Sequence, residues 1–120
     1  MNSVRDIAWL AGILEGEGSF HSYMHQKRWL TARISINMTD RDVIARIAKI
    51  IKCTSFRGPY KNDSHLGKKP LWALAVSGRR AIKWMERLYP HMGQRRRSQI
   101  SKVLKDYALY VAKDPRRRNA

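Results

Sequence analysis

Two carboxylates, Glu15 and Glu17, stand two residues apart at the end of the apolar run from Ile7 to Leu14, in a chain with only 9 acids among 120 residues. Paired acids of this kind hold divalent cations beside phosphates, or they are simply solvated at a helix end. The C-terminal end of a helix carries partial negative charge and disfavours acids, so a purely structural role suits them poorly. His21 and His25 are four residues apart, a spacing that shares a metal only on a helix, and they sit in a strand-like stretch. No two Cys or His pairs at zinc spacing occur, and the single Cys53 cannot form an intrachain disulfide, which fits a reducing compartment.

Against the few acids stand 25 Lys and Arg, a net charge of +16. Such a field favours a polyanion, because neutralising phosphates releases condensed counterions. Nucleic acid is the first reading. An anionic membrane is the second, but no stretch approaches the roughly 20 apolar residues of a spanning helix. No secretory signal is visible, since Glu15 and Glu17 follow the first apolar run. With 43% hydrophobic residues the chain can bury a core and is no disordered tail. Its length suits one domain, taken as 1–113, with a basic tail over 114–120.

The elements that must position these groups follow from periodicity. A first helix is predicted from about Ser3, its N-cap, to Gly16. Ile7, Leu10 and Leu14 form one stripe; Ala8, Gly12 and Gly16 form a second, of small residues. Each Gly in a helix costs about 1 kcal/mol relative to Ala, so the small stripe implies close approach by another helix and a helix buried on two faces. From Ser19 to Met38 the period becomes two. Leu30, Ala32, Ile34, Ile36 and Met38 face inward, with Phe20 and Met24 on the hairpin partner and Gln26, Lys27 and Arg28 as the turn. Thr39 is expected to cap a second helix, with Asp42 three residues on. Strands follow at about Cys53 to Tyr60 and Leu71 to Ser77. Ser77-Gly78 opens a third helix that ends before Pro90. A fourth starts near Gln94 and stops at Pro115. The order is α-β-β-α-β-β-α-α, an α+β arrangement with helices on one face of a four-stranded antiparallel sheet. None of the four strand segments contains Asp or Glu, which suits a polar face laid against phosphates and bases.

The run Leu10-Ala11-Gly12-Ile13-Leu14-Glu15-Gly16-Glu17-Gly18, followed by Ser19-Phe20, resembles the LAGLIDADG motif of homing endonucleases. The resemblance extends in outline over residues 5 to 112, through Met38-Thr39-Asp40-Arg41-Asp42 and Val76-Ser77-Gly78. It implies the αββαββα fold with an added C-terminal helix and DNA on the open sheet face. It also implies a dimer in which two such helices pair through Ala8, Gly12 and Gly16. Each helix would deliver one acid, Glu17, with the Gly16 carbonyl as a further metal ligand. The expected ion is Mg²⁺, a hard cation for oxygen ligands, with Mn²⁺ or Ca²⁺ able to substitute in binding. One motif gives half a site, so a homodimer on a long, roughly palindromic duplex is the expectation. The gene would belong to a mobile intron or intein, and the protein to the cytoplasm or an organelle, wherever the host DNA lies, and would not be secreted. No membrane or small-molecule cofactor is implied.

The DNA-contacting residues expected on the polar face and its ends are Ser19, His21, Tyr23, His25, Thr31, Arg33, Ser35, Asn37, Ser55, Arg57, Lys61, Arg79 and Arg80. The chain departs from the motif's name in having Glu, one methylene longer than Asp, at position 17. Where many members carry a Gln late in the second strand it has Asn37 and Met38. Where they carry a Lys near the end of the fourth it offers Arg79 or Arg80. Glu15 reads as a buttress of the helix end. Trp29 and Trp72 read as core or rim packing, and the runs 95–97 and 116–118 as sequence-blind phosphate contacts. Competing readings are a maturase-like RNA binder, a DNA-binding module that has lost cleavage, and a small ribosome-associated protein. The third explains the charge but not the motif.

Overall fold

The first helix needs no help from the rest of the chain to begin: the Ser3 hydroxyl accepts from the Asp6 amide at 3.0 Å, satisfying one of the orphan donors of the first turn. This computed structural model describes residues 3–53, 56–61 and 69–119. Its elements are α1 (Val4–Glu17), β1 (Gly18–His25), β2 (Trp29–Met38), α2 (Arg41–Ile51), β3 (Arg57–Tyr60), β4 (Leu71–Ser77), α3 (Arg79–Leu88) and α4 (Gln94–Lys113). Short 3-10 turns cover Tyr89–His91 and Pro115–Asn119. The strands form one antiparallel sheet in the order β1-β2-β4-β3, so the architecture is the expected α+β one.

The chain divides into two compact units, Met1–Gly18 with Ser35–Ala75, and Ser19–Ile34 with Val76–Ala120. In the first, α1 packs on α2. Leu10, Ala11 and Leu14 share a core with Ile36, Leu74 and the α2 residues Ile44, Ile47, Ala48, Ile50 and Ile51. The Arg46 guanidinium lies 3.8 Å from the Trp9 ring centroid and ties the two helices. Arg41 lies 5.2 Å from both Phe56 and Trp72, whose rings meet edge to face at 5.9 Å. In the second unit, Phe20, Ala32, Ile34 and Val76 are buried with Ile82, Met85 and Leu88 of α3 and Ile100 and Val103 of α4. The Gly78 amide donates to the Ala32 carbonyl at 2.8 Å, joining the exit of β4 to β2.

Several local expectations change. The N-cap of α2 is Asp40, not Thr39, and no side chain caps it. The strand runs on to Met38, so Thr39 is spent on the bend and Val43 and Ile44 donate to the Asp40 carbonyl instead. The third strand begins at Arg57 rather than near Cys53. Lys52 takes a left-handed conformation (φ 64°) and Cys53 donates back to the Ala48 carbonyl, so Cys53 finishes the helix rather than starting a strand. β3 also slips against β4, pairing Arg57 with Ala73 but Tyr60 with Leu71. At Gly58, φ is 143° and a Cβ would sit 2.8 Å from the Trp72 ring, so glycine is required there. Met24, expected in the core, is 52% exposed, one residue from the end of β1 at His25.

Candidate functional site

The last turn of α1 is where the sequence put its chemistry, and the backbone there is tightly fixed. Leu14 is fully buried, and the Gly18 amide donates to its carbonyl. A Cβ on Gly18 would stand 2.7 Å from Leu14 Cδ2 and 2.9 Å from the Leu14 carbonyl oxygen. Only glycine lets the chain pass straight from helix into β1 with no connecting residue. Gly16 and Glu17 are exposed on that turn, and Glu15 is half-buried. The final carbonyls of a helix lack partners in the helix, so the Gly16 carbonyl and the Glu17 carboxylate are both hard oxygen donors at an exposed end.

The second stripe of α1 is not buried in this chain. Ala8, Gly12 and Gly16 are all exposed, and a Cβ added to Gly12 or Gly16 would meet nothing within 4 Å. The expectation of a helix buried on two faces therefore holds within the chain for one face only. The small face is smooth and uncovered.

On the hairpin the alternation places Ser19, His21, Tyr23 and His25 of β1 and Thr31, Arg33, Ser35 and Asn37 of β2 opposite the buried positions. Ser19, Tyr23, His25 and Asn37 are exposed; His21, Thr31, Arg33 and Ser35 are half-buried. The Ser19 hydroxyl lies 3.3 Å from His21 Nδ1, a contact that spacing alone does not reveal. Arg57 on β3 and Lys61 just after it are exposed. Arg79 and Arg80 are exposed in the first turn of α3, where the helix dipole disfavours cations. Ser55 lies outside the described residues.

Four of the arginines that form runs in the sequence, Arg96, Arg97, Arg116 and Arg117, are engaged by their own chain. Arg96 is buried and donates to Gln99 Oε1 at 3.0 Å. Arg97 donates to the Pro90 carbonyl and covers Tyr89 at 5.2 Å. Arg116 donates twice to the Asp114 carboxylate, at 3.0 and 2.9 Å, and Arg117 donates to the Tyr110 carbonyl while covering its ring at 4.1 Å. The Arg116 hydrogen bonds hold the Asp114 carboxyl below its ordinary pKa. Residues 115–119, within the basic tail, are thus a turn of 3-10 helix folded against α4. Trp72 is half-buried in the Arg41 cluster, as packing predicts, but Trp29 is 43% exposed.

Among the described residues no three His, Cys, Asp or Glu side chains come together as a metal cage. His21 and His25 lie on β1, not on a helix. The donors at the end of α1 fit an oxygen-ligated divalent cation, but as half a coordination set, one carboxylate and one carbonyl. No helix among the described residues is long and apolar enough to cross a membrane.

An α1 that ends in an acid and runs directly into an antiparallel β1-β2-β4-β3 sheet defines the fold class: this is the fold of the LAGLIDADG homing endonucleases. The homing endonuclease I-CvuI, solved with its target in the presence of calcium, superposes with a TM-score of 0.69 at 22% identity, over 96% of this chain and 76% of that one. I-TnaI gives 0.61 at 18% identity over 82% of this chain and 69% of that one. The group I intron-encoded I-CeuI, complexed with DNA, gives 0.60 at 14% identity over 98% and 62%. No protein-family model and no curated protein matches the chain.

Proposed function

We propose that the chain is a site-specific, divalent-metal-dependent double-strand DNA endonuclease that works as a homodimer. The observation that carries this reading is α1 itself. One helix buries Leu10 and Leu14, leaves Ala8, Gly12 and Gly16 uncovered along another face, and ends in the exposed Glu17. A buried stripe anchors the helix, a smooth stripe admits a second copy, and the end carries the acid. Two copies related by a two-fold axis would bring together two carboxylates, which one chain lacks.

Glu17 and the Gly16 carbonyl would hold the ion, with Mg²⁺ the natural choice for such donors. When bound, the ion polarises water and stabilises charge on phosphate oxygens. The protein's own contribution is placement. Leu14 and Gly18 fix the helix end, and Arg79 and Arg80, exposed in the first turn of α3, would meet phosphate. The polar positions of β1 and β2 are the reading surface, with Arg33 suited to a guanine edge in the major groove. The neighbours I-CvuI and I-CeuI were solved with DNA, which supports a duplex partner for this fold. The RNA-binding reading needs the same basic sheet but gives Glu17 no task.

The test is a plasmid carrying the locus that flanks the gene, incubated with the protein with and without Mg²⁺. Linear product only with metal, and none from Glu17→Gln, is the expected result. A Glu17→Gln protein that cuts within tenfold of wild type would remove Glu17 from the chemistry.

A further inference from the structure

The hairpin β1–β2 ends in a cluster that has no part in the chemistry at the end of α1. Trp29 is 43% exposed and Tyr23 is 38% exposed, although each could bury a large apolar surface. By strand alternation Tyr23, His25 and Trp29 fall on the same face as Arg33, while the exposed Met24 falls on the other. Arg28 lies 5.4 Å from the Trp29 ring, and Lys27 precedes it in a turn whose residues Gln26 and Lys27 both have positive φ. No acid occurs from Gly18 through Thr39. The turn end of the polar face is therefore aromatic, ringed by cations and free of negative charge.

A surface of that kind repels neither phosphate nor base, and its rings gain by covering an apolar group. The major groove of a duplex offers one apolar group, the 5-methyl of thymine. Resting on the DNA-binding reading, we infer that Trp29 and Tyr23 form an apolar platform that reads thymine methyls at the ends of the recognition site, with Lys27 and Arg28 on the adjoining phosphates. Arg33, further along β2, reads by hydrogen bonds. The same strand face thus changes from polar readout to methyl readout as it nears the turn.

The experiment begins with selection of bound duplexes from a randomised pool by the full-length protein and by Trp29→Ser. The best wild-type duplex is then made with deoxyuridine in place of thymine at its outer positions, which removes the methyl and nothing else. The wild-type pool should be enriched in T·A pairs at both ends of the site. Each methyl removed should weaken wild-type binding roughly fourfold, the effect of burying about one CH₂. Trp29→Ser, whose unfolding midpoint checks its fold, should bind the two duplexes alike and lose the end preference; Tyr23→Ser should do so in part. Equal wild-type binding of thymine and deoxyuridine duplexes overturns the inference, as does discrimination that survives Trp29→Ser, while DNA binding itself stands. Failure of wild type to enrich any duplex removes the DNA reading and this one with it.

Discussion

The segment from α1 through β2 and the segment from α4 to residue 119 are both rich in residues that a sequence reading assigns to DNA, and the fold treats them oppositely. In the first, what could do chemistry is left uncovered: Ala8, Gly12, Gly16 and Glu17 are exposed, and the polar strand positions face away from the core. In the second, Arg96, Arg97, Arg116 and Arg117 are turned back onto their own chain, onto Gln99, Pro90, Asp114 and Tyr110. Both add to the field that draws in a polyanion. Only the first keeps its donors available for a short-range, directional contact. Charge density along a sequence therefore locates attraction, whereas the alternation of covered and uncovered positions locates recognition.

The contrast can be broken most sharply at Glu17. Glu17→Gln should lower cleavage by at least about a hundredfold while leaving duplex affinity intact, since the lost interaction acts on reacting charge. Single-turnover cleavage beside a mobility-shift titration measures both. Next are two glycines of one segment that should behave differently. Gly12→Leu points into open space in the protomer and should weaken self-association by about tenfold or more, about 1.4 kcal/mol, in sedimentation. Gly18→Ala drives a methyl against Leu14 and should cost about 1–3 kcal/mol of folding stability in denaturant melts. A Gly12→Leu chain that sediments as wild type on DNA would sink the helix-pairing proposal. Arg33→Ala should lose about 1–3 kcal/mol of discrimination at one position per half-site. Arg117→Ala should instead cost about 0.5–1 kcal/mol of stability through its lost Tyr110 contact and leave site preference unchanged. Binding-site selection with both variants decides whether the two segments differ as described.

The smallest effect concerns Asp114. Its carboxyl is held below the ordinary value by Arg116, so the pair contributes above the unfolded carboxylate pKa and is lost as pH falls through the lowered one. The side chains are exposed, so the readout is local. Amide protection over residues 111–117, taken relative to the intrinsic exchange rate at each pH, should fall at acid pH in wild type, and be already low and less pH-dependent in Asp114→Asn.

Strong periods are legible in the sequence alone. The α1 stripe, the alternation of β2, β4 at Leu71–Ser77 and the long α4 appear as their spacing predicts. What could not be read is what leaves no trace in residue type. Lys52 turns left-handed where glycine or asparagine is the usual sign, so the start of β3 was misplaced. The acceptors of Arg97 and Arg117 are backbone carbonyls, which every residue has, so an engaged arginine looks like a solvated one. Trp29 reads as core or rim packing, and residue type alone does not tell that it is 43% exposed. Of the candidate site, Glu17 and Arg33 could be singled out by position in a pattern, and the Ser19–His21 contact could not.

The direct passage from Glu17 to Gly18 has a thermodynamic consequence. An acid carried on a loop must lose backbone freedom each time it engages an ion or phosphate, at about 1–2 kcal/mol for every residue ordered. Here no loop residue exists to be ordered: the last residue of the helix is followed by the first of the strand, and the junction is clamped to Leu14. In the role proposed for Glu17, the entropy of fixing the carboxylate's backbone would be lost once, during folding, and would not recur with each encounter. What remains to be frozen is the rotation of a single side chain.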